Sequence, residues 1–465
     1  MSPPRKVAVI DIGKTNAKVV VLDCALSKEI AEFRTANRVI SGPPYPHFHV
    51  DGLWDFILTS LVALGREPGF DAISITTHGA CAVLLDEDGA LALPVLDYEH
   101  LYPEEIRRDY AAIRPPFAET FSPALAGGLN LGAQLHYQKT AFPAAFSRVK
   151  TILTYPQYWA FRLTGVAANE VTSLGCHTDL WCPRDDHYST LVDTLGLRDS
   201  LAPLRSAFDV LGFVTPYIAG RIGVPGEVPV ECGIHDSNAS LLRHLIGREG
   251  PFAVVSSGTW VVNFAVGGDL DHLDPTRDTL ANVDAYGRAT PSSRFMGGRE
   301  FELLTAALGP LDQQAAMSAM PAAIARQIML LPNLAEGSGP FPGRRAFWLN
   351  AENASIAERW AAACLYLALM TDTCLCLIGA GGPTLVEGPF AQNRVALAAL
   401  AALLGRDVIA LAGDTGTSQG AALLAGASPA SADGGARVAP LAAIGLHAYA
   451  DSWRSISARR DKKRA

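Results

Sequence analysis

The residues of this chain that are best suited to bind an anion lie in two short polar turns. Residues 13–16 read Gly-Lys-Thr-Asn and residues 256–259 read Ser-Ser-Gly-Thr, each between two β-rich runs. Amide N–H groups converge at such turns, and hydroxyl groups add further donors. Each turn taken alone is equally consistent with an ordinary hairpin. The residues expected to hold phosphate groups are Gly13, Thr15, Asn16, Gly258 and Thr259.

Two carboxylates stand where they could complete a site around these turns. Asp11 ends an apolar run just before the first turn. It either caps the turn or anchors Mg²⁺, which prefers carboxylates and water. Asp236, in VPVECGIHDSNASLL, lies between a strand-like run and a helical one. There either Asp236 or Ser237 is the N-cap of the helix, or Asp236 is free to accept a proton. Asp11 and Asp236 are the candidate metal ligands.

A phosphate cradle, a magnesium anchor and a base are the parts that phosphoryl transfer needs. The letters Gly-Lys-Thr at residues 13–15 invite a P-loop interpretation, which requires a glycine at position 8 and a helix after the lysine. Position 8 is alanine and a strand-like run follows the turn. A Walker-type nucleoside triphosphatase is therefore disfavoured. The sequence also contains no dinucleotide-binding fingerprint after its first strand, no H-E-x-x-H and no paired C-x-x-C.

The elements that must position these residues form two halves of similar plan. Residues 7–23 and residues 251–268 each read as strand, tight turn and strand. Residues 72–89 read as a strand, a turn at His78–Gly79 and a second strand, whereas residues 103–165 read as helical with proline breaks. A chain of 465 residues is too long for one compact core. We therefore predict an α/β protein of two domains that join near residue 245.

Bulk composition excludes several classes of protein. The hydrophobic fraction of 49% is typical of a soluble globular protein, and the net charge of -8 argues against non-specific binding to nucleic acid. The apolar run Trp360–Met370 predicts a buried helix, because Asp372 follows it and is costly in lipid. Eight scattered cysteines predict buried, reduced thiols. Because the N-terminus enters a strand and not a signal peptide, we expect a cytoplasmic protein without a membrane partner.

Six segments, in order along nearly the whole chain, resemble the FGGY carbohydrate kinases. VIDIGKTNAKVVVLD and SSGTWVVNF resemble the two phosphate hairpins of that family, and the SSGTW form is closest to rhamnulokinase-like members. THGACAVLLDEDG resembles the sugar-side segment of the family. YPQYWAFRLTGVAANEVTSLGCHTDLW resembles the family block in which an LTG turn precedes Asn, Glu and Thr and a run of small residues. CGIHDSNASLL resembles the segment that carries the catalytic aspartate. EGPFAQNRVALAALAALLGRDVIAL with GDTGTSQGAALLAG resembles the adenosine-side end.

The resemblance implies two ribonuclease H-like domains of the actin-like ATPase class, with ATP and sugar in an interdomain cleft. It implies that residues 1–245 form a sugar-binding domain and that residues 246–465 form a nucleotide-binding domain. It also implies that Asp236 is the general base, that Asp11 lies on the magnesium side and that both turns hold phosphates. The residues that it places near the adenosine are Gly388, Gln392 and Asn393.

The sugar side departs from the family pattern. Asp97–Tyr98–Glu99–His100 stands where Trp-x-Asp-x-Arg is usual, and Glu387–Gly388–Pro389–Phe390 replaces the glycine-rich motif before the adenine. Arg294 and Arg299 either face the phosphates or form surface ion pairs. Trp260 is either a ring that packs on the sugar or part of the core. The substrate-side candidates are His78, Asp97, Glu99, His235 and Trp260.

The resemblance therefore implies an enzyme that uses ATP and Mg²⁺ to phosphorylate a five- or six-carbon ketose or deoxyketose, such as L-rhamnulose, L-fuculose or xylulose. Three alternatives stay open: a kinase for a linear polyol, a non-catalytic sugar or nucleotide sensor on the same scaffold, and an actin-like ATPase that moves partners. Retention of Asp236 and of both turns favours an active enzyme. The expected partner is a small sugar, and a homodimer is compatible with the sequence.

Overall fold

The computed structural model describes residues 5–412, 416–427 and 435–458. They form two compact units. The first unit comprises Met1–Arg248, Ala281–Ala289 and Gly416–Ala432, and the second comprises Glu249–Leu280, Thr290–Thr415 and Asp433–Ala465. Two segments from the C-terminal half of the chain, Ala281–Ala289 and Gly416–Ala432, thus belong to the first unit.

The secondary structure alternates between strands and helices along the chain. The strands are β1 (Lys6–Ile12), β2 (Asn16–Asp23), β3 (Lys28–Ala36), β4 (Val39–Ile40), β5 (His47–Phe48), β6 (Ala72–Thr77), β7 (Ala82–Leu85), β8 (Thr151–Thr154), β9 (Trp181–Cys182), β10 (His187–Tyr188), β11 (Val210–Phe213), β12 (Pro229–Glu231), β13 (Ile234–His235), β14 (Phe252–Ser257), β15 (Val261–Val266), β16 (Thr279–Val283), β17 (Ala289–Phe295), β18 (Met329–Leu331), β19 (Phe347–Leu349), β20 (Thr384–Glu387), β21 (Val408–Leu411) and β22 (Gly435–Arg437). The helices are α1 (Val50–Arg66), α2 (Glu104–Ile113), α3 (Phe117–Thr120), α4 (Leu131–Ala141), α5 (Pro143–Phe146), α6 (Tyr155–Thr164), α7 (Val171–Leu174), α8 (Thr190–Thr194), α9 (Pro216–Ile222), α10 (Asp236–Leu245), α11 (Gly297–Leu308), α12 (Gln313–Ala325), α13 (Ile356–Leu377), α14 (Arg394–Leu404), α15 (Thr417–Leu424) and α16 (Leu446–Ala458).

A mixed sheet organises the first unit, with strands in the order β11-β12-β6-β1-β2-β3 and β13 paired to β6. Strands β1, β2 and β3 are antiparallel neighbours, whereas β6 runs parallel to β1. The central strands are almost continuously buried, as expected for a sheet with helices packed against it. Helices α1, α6 and α15 pack against these strands.

The second unit repeats this plan, with the strand order β16-β17-β15-β14-β20-β21-β22. Here β14, β15 and β17 are antiparallel neighbours, β20 runs parallel to β14, and β21 runs parallel to β20. In both units, therefore, a hairpin that begins with the central strand is extended on its other side by parallel strands. The prediction of two halves with hairpins of the same form is confirmed.

Helix α13 is the core helix of the second unit. By length and composition it is apolar enough to cross a membrane, yet 83% of its most apolar stretch is buried inside the protein. It packs against α12 and α14. Asp372 within it forms an ion pair with Arg454 at 2.7 Å, which satisfies the charge that interrupts the apolar run. The prediction of a buried core helix is confirmed.

Two local expectations are wrong. Residues 103–165, expected to be helical, contain strand β8, because its short β-branched run pairs in antiparallel register with β7. The cysteines, expected to be buried, include the exposed Cys376, which lies in the last turn of α13. The other seven are buried, and all eight are free thiols.

Glu231, the last residue of β12, is a buried carboxylate whose titration can be tested. Its side chain is buried, and Oε2 has no hydrogen-bond partner within the described residues. Burial, with a smaller contribution from Asp209, raises its pKa from 4.5 to about 8. Because the folded state binds the proton more tightly than the unfolded chain, this contribution to stability is complete at low pH and is lost as the pH rises through that value.

We expect Glu231→Gln to raise the Tm by roughly 2–4 °C at about pH 9 and to change it little at about pH 5. Thermal unfolding followed by calorimetry would measure both values. Glu227→Gln, at an exposed position of the preceding loop, is the matched control and should show no such pH dependence. The same Tm difference at both pH values would contradict the interpretation.

Candidate functional site

Three parallel strands of the first unit end side by side. Thr77, the last residue of β6, pairs with Ile12 of β1 on one side and with His235 of β13 on the other. The backbone N–H of His78 donates to the carbonyl of Ile12 at 2.8 Å, which fixes the two strand ends together. Because the carboxyl ends of parallel strands share one edge, the residues that follow these strands meet there. These residues are Gly13, His78 and Asp236.

Asp236 is the first residue of α10 and places its carboxylate at this junction. The N-cap of the helix is His235, whose side chain makes no capping hydrogen bond, so the expectation that Asp236 or Ser237 is the N-cap is not met. Oδ1 of Asp236 accepts from the backbone N–H of Ser237 at 2.6 Å. About one third of the carboxylate side chain stays accessible (32%). Burial raises the pKa of Asp236 above its ordinary value, and His78 and Ser237 offset part of that rise.

His235 contacts the carboxylate of Asp236 directly, with Nε2 at 3.3 Å from Oδ1. On the other side of the ring, Nδ1 lies 3.4 Å from Nδ2 of Asn238. Burial lowers the pKa of His235 to about 4, so the ring is neutral at neutral pH. These partners assign the proton to Nε2, which donates to Asp236 while Nδ1 accepts from the amide of Asn238.

His78 presents a free acceptor at the same edge. Its ring is packed against Phe48, Tyr98 and Tyr155, at centroid distances of 5.1, 5.5 and 5.1 Å. Nδ1 donates to the carbonyl of Gly79 at 2.8 Å, whereas Nε2 is buried without a partner among the described residues. Burial lowers the pKa of His78 to about 4. A neutral imidazole with an unpaired Nε2 is suited to accept a hydrogen bond from a hydroxyl.

Asp97 and Glu99 are joined to the first turn by Lys14. The Nζ atom of Lys14 forms an ion pair with Oδ1 of Asp97 and lies 3.5 Å from Oε2 of Glu99. The same ammonium group stands over the rings of Phe48 and Tyr98, 4.9 and 4.5 Å from their centroids. Lys14 was not among the site residues predicted from the sequence. The feature that points to it is a lysine within a turn between two buried strands.

A buried pair of side chains supports the backbone next to Asp236. The N–H of His235 donates to Oγ1 of Thr172 at 3.1 Å, and the Thr172 hydroxyl donates in turn to Glu170. Burial raises the pKa of Glu170 to about 7. Neither Glu170 nor Thr172 was a candidate from the sequence, because their role depends on contact with a segment more than 60 residues away.

Asp11 lies beside the first turn and has one neutral and one positively charged partner. Its Oδ2 accepts from the Ser418 hydroxyl at 3.0 Å and lies 3.8 Å from Nζ of Lys18. Burial, with a contribution from the charge of Asp236, raises the pKa of Asp11 to about 6. Mg²⁺ is commonly held by one or two carboxylates together with water and phosphate oxygens. Asp11 and Asp236 fit such an ion, although the described part of the chain has no cluster of three or more metal-ligating side chains.

Both predicted phosphate turns are tight hairpins. In the first, the N–H of Gly13 donates to the carbonyl of Asn16 at 2.8 Å, while the backbone amides of Lys14 and Thr15 make no hydrogen bond to any described residue. In the second, the N–H of Gly258 donates to the carbonyl of Trp260 at 2.8 Å. The exposed Thr15 and Asn16 leave the first turn open to a ligand.

A cavity of about 400 Å³ lies in the second unit next to the second turn. Its lining contains three of the predicted residues, Gly258, Thr259 and Asn393. The other residues that line it are Ser257, Val261, Phe295, Gly297, Gly298, Phe301, Glu302, Leu367, Pro389 and Phe390. Gly298 is required for close packing there, because a Cβ atom on it would lie 1.9 Å from the carbonyl oxygen of Gly258.

Gly388 and Gln392 do not line this cavity. Gly388 has a φ of 75° and packs on Ser257, where a Cβ atom would lie 2.1 Å from the carbonyl oxygen. Gln392 is exposed, and its carbonyl accepts from Gln313 at 3.1 Å. Asn393 caps α14, since its Oδ1 accepts from the N–H of Ala396 at 3.0 Å. Residues 413–415 of the last family-like segment lie outside the described residues.

Trp260 and the two arginines near it are engaged with one another or with neighbouring carboxylates. The guanidinium of Arg294 stands 4.9 Å from the Trp260 ring and pairs with Asp278 at 3.3 Å. Arg299 pairs with Glu302 at 3.0 Å, and both side chains are more than half exposed. Arg299 thus forms a surface ion pair, whereas the Arg294–Asp278 pair is largely buried, with side chains 26% and 18% exposed. An orientation towards phosphates stays a prediction for both arginines. Trp260 is absent from the cavity lining, and its contact with a sugar stays a prediction.

Comparison with known proteins gives relatives in one class of enzyme. The L-fuculokinase of Salmonella typhi is 27% identical over 277 residues, which cover 57% of this chain and 57% of that protein. The rhamnulokinase of Halalkalibacterium halodurans is 25% identical over 266 residues, 54% of each chain. The chain thus spans about half the length of these relatives.

The crystal structure of a carbohydrate kinase from Novosphingobium aromaticivorans matches with a TM-score of 0.89 and 37% identity, over 97% of this chain and 100% of that chain. This match confirms the expectation of two ribonuclease H-like domains of the actin-like ATPase class. The model of the FGGY family of carbohydrate kinases, N-terminal domain, matches residues 7–243. The model of carbohydrate kinase FGGY, C-terminal domain, matches residues 249–433. The chain therefore belongs to the FGGY family of carbohydrate kinases, which are phosphotransferases that act on sugar hydroxyl groups.

Proposed function

We propose that this protein is an ATP-dependent kinase for a five- or six-carbon ketose or deoxyketose, with Asp236 as its general base. One observation carries the proposal: a carboxylate with a raised pKa stands at the shared edge of three strands, beside two neutral histidines. A base must be close to its substrate and must have a pKa that lets it accept a proton near neutral pH. Names of the relatives, L-fuculokinase and rhamnulokinase, support the choice of acceptor.

Asp236 has the contacts of a positioned base. One oxygen, Oδ1, is held by the N–H and the hydroxyl of Ser237 and by Nε2 of His235. These donors all meet Oδ1 and leave Oδ2 for the acceptor hydroxyl. As the acceptor hydroxyl oxygen forms its bond to the γ-phosphorus of ATP, the bond from that phosphorus to the bridging oxygen breaks, ADP leaves, and Asp236 takes the hydroxyl proton. The N-terminal end of α10 stabilises the negative charge on Asp236 before that step.

The residues around Asp236 fit a polyhydroxylated acceptor. His78 offers an unpaired nitrogen, and Asp97 and Glu99 offer carboxylate oxygens. Sugar binding needs several hydrogen bonds of this type. We assign His78, Asp97, Glu99 and His235 to the acceptor side of the reaction.

ATP and Mg²⁺ supply, when bound, the phosphoryl group and the positive charge that shields it. Among the residues of this chain, Gly13, Thr15 and Asn16 in the first turn and Gly258 and Thr259 in the second would hold phosphate oxygens. Asp11, with Asp236, would hold the metal. The apolar lining formed by Phe301, Pro389 and Phe390 suits a purine base, so we place the adenosine there with Asn393, and Gly388 and Gln392 beside it.

A cytoplasmic location agrees with this function. The eight cysteines are free thiols and seven of them are buried, which is the pattern of a protein from a reducing compartment. A small sugar is the partner that the proposed site is built to receive.

Asp236→Asn is expected to lower kcat/KM for the acceptor by at least about 10²–10⁴-fold, since it removes the base while it keeps the size of the side chain. ADP release would be measured with Mg²⁺-ATP against a panel of ketoses, deoxyketoses and linear polyols. Asp55→Asn, on the exposed face of α1, is the matched control and should keep wild-type rates. If ATP binds but no sugar raises ADP release, the kinase proposal fails and a sensor becomes the better explanation.

The pH profile gives a separate test of Asp236 and Asp11. Both carboxylates must be ionised to act, and burial raises the pKa of Asp11 to about 6 and that of Asp236 above its ordinary value. We therefore expect kcat/KM to fall as the pH decreases below about 6, well above the value of about 3.9 that is usual for aspartate. An acid limb at that usual value, measured in a buffer series with wild-type enzyme, would contradict the assignment.

Gly298→Ala tests the assignment of the cavity. The added Cβ would overlap the carbonyl of Gly258 and push the second turn away from α11. We expect affinity for ADP, measured by titration calorimetry, to fall roughly tenfold or more while acceptor binding is unchanged. Gly220→Ala is the control, because that helical glycine of α9 faces open space. Unchanged ADP affinity in Gly298→Ala would place the nucleotide elsewhere.

A further inference from the structure

The backbone and the side chain of Lys14 contribute to different parts of the proposed site. The backbone forms part of the first turn, where the amide of Lys14 makes no hydrogen bond to the described residues. The side chain is directed away from that role, towards Asp97 and Glu99. It is only 19% exposed and lies over the faces of Phe48 and Tyr98. Because two carboxylates and two aromatic rings contact the ammonium group of Lys14, its position is fixed.

The charges at this edge of the first unit do not balance. Asp97, Glu99 and Asp236 contribute three negative charges, whereas Lys14 contributes one positive charge. Lys18, the next cation along the chain, is engaged by Asp11 at 3.8 Å and by Glu29 at 3.1 Å. The acceptor side therefore carries excess negative charge from its own residues.

We propose that Lys14 is a specificity-determining residue: it fixes Asp97 and Glu99 as hydrogen-bond acceptors for an uncharged polyhydroxylated sugar, and the resulting negative site excludes acceptors that carry a carboxylate or a phosphate. The inference rests on the proposed function and defines its substrate class more narrowly.

Discrimination between neutral and anionic acceptors depends on the charge of the carboxylates and on their fixed positions. A hydroxyl group donates to a carboxylate at low cost, and Lys14 holds both carboxylates in place for it. An anionic group in the same position is repelled by three carboxylates, and the ammonium group of Lys14 is already engaged by Asp97 and Glu99. Like charges brought together in a site partly withdrawn from water weaken binding by at least about a hundredfold. The site thus excludes sugar acids because its carboxylates repel them, in addition to favouring neutral sugars through attractive contacts.

Substitutions of Lys14 and Glu99 should have opposite effects on the two classes of acceptor. Lys14→Met keeps the apolar stem on Phe48 and Tyr98 but leaves Asp97, whose side chain is 9% exposed, without its cation. We expect it to weaken binding of the neutral ketose about tenfold or more. Lys14→Arg should restore part of that loss. Glu99→Gln removes one negative charge and should improve binding of a sugar acid relative to the ketose by about tenfold.

The decisive experiment measures acceptor binding without nucleotide, by titration calorimetry on the full-length protein, beside turnover in the ADP-release assay. The probes are xylulose and L-fuculose as neutral ketoses and D-gluconate as a sugar acid. Lys150→Met, an exposed lysine of the same unit, is the matched control and should behave as wild type. Glu99, whose side chain is 67% exposed, provides a variant that should fold even if Lys14→Met does not.

The two proposals fail in different ways. Binding of a neutral ketose at least about a hundredfold tighter than D-gluconate, with a smaller ratio in Glu99→Gln, supports the inference whether or not turnover is seen. Equal binding of ketose and D-gluconate by the wild type, or a ratio that Glu99→Gln and Lys14→Met leave unchanged, overturns it. Absence of turnover with every acceptor counts against the kinase proposal alone.

Discussion

The parallel pairing of β6 with β1 and β13 is the constraint on which the first unit's site depends. Thr77 is paired on both sides, so the ends of the three strands cannot shift relative to one another without loss of ladder hydrogen bonds. A slip of one residue would also turn every side chain of a strand to the other face of the sheet. The positions of Asp11, His78 and Asp236 therefore follow from the register of one buried strand, and the contacts of Glu170 and Thr172 reinforce it.

Burial of ionisable groups is the energetic consequence of that arrangement. Desolvation raises the pKa of Asp11 to about 6 and that of Glu170 to about 7, and it keeps both histidines neutral. Such a site is unfavourable for folding, because each buried charge or unpaired polar atom costs free energy. The same condition strengthens every electrostatic interaction with a ligand. Under the proposed function, stability is given up where the residues act on a bound molecule.

Local sequence patterns were sufficient for part of this result. Apolar runs that flank short polar turns predicted both hairpins, and an apolar run interrupted by Asp372 predicted the buried helix α13. The position of Asp236 at a strand-to-helix junction was also readable, although its freedom from a capping role was not. In contrast, the pairing of Lys14 with Asp97 joins residues 83 positions apart, and that of Asp11 with Ser418 joins residues 407 positions apart. No local pattern encodes such contacts. The fit of Gly298 against Gly258 likewise depends on how a helix packs on a turn.

The two units show how one scaffold supports two kinds of binding surface. In each, a strand runs parallel to the central strand and ends beside the hairpin: β6 in the first unit and β20 in the second. After β6 comes His78, a buried ring packed against aromatic side chains, with Nε2 unpaired among the described residues. After β20 comes Gly388, whose positive φ leads the chain into Pro389 and Phe390, and these line an apolar cavity. The backbone of each unit thus forms a sheet edge of the same kind. The residues that follow one strand decide whether that edge presents hydrogen-bond acceptors or apolar surface, and so which class of molecule each unit is suited to bind.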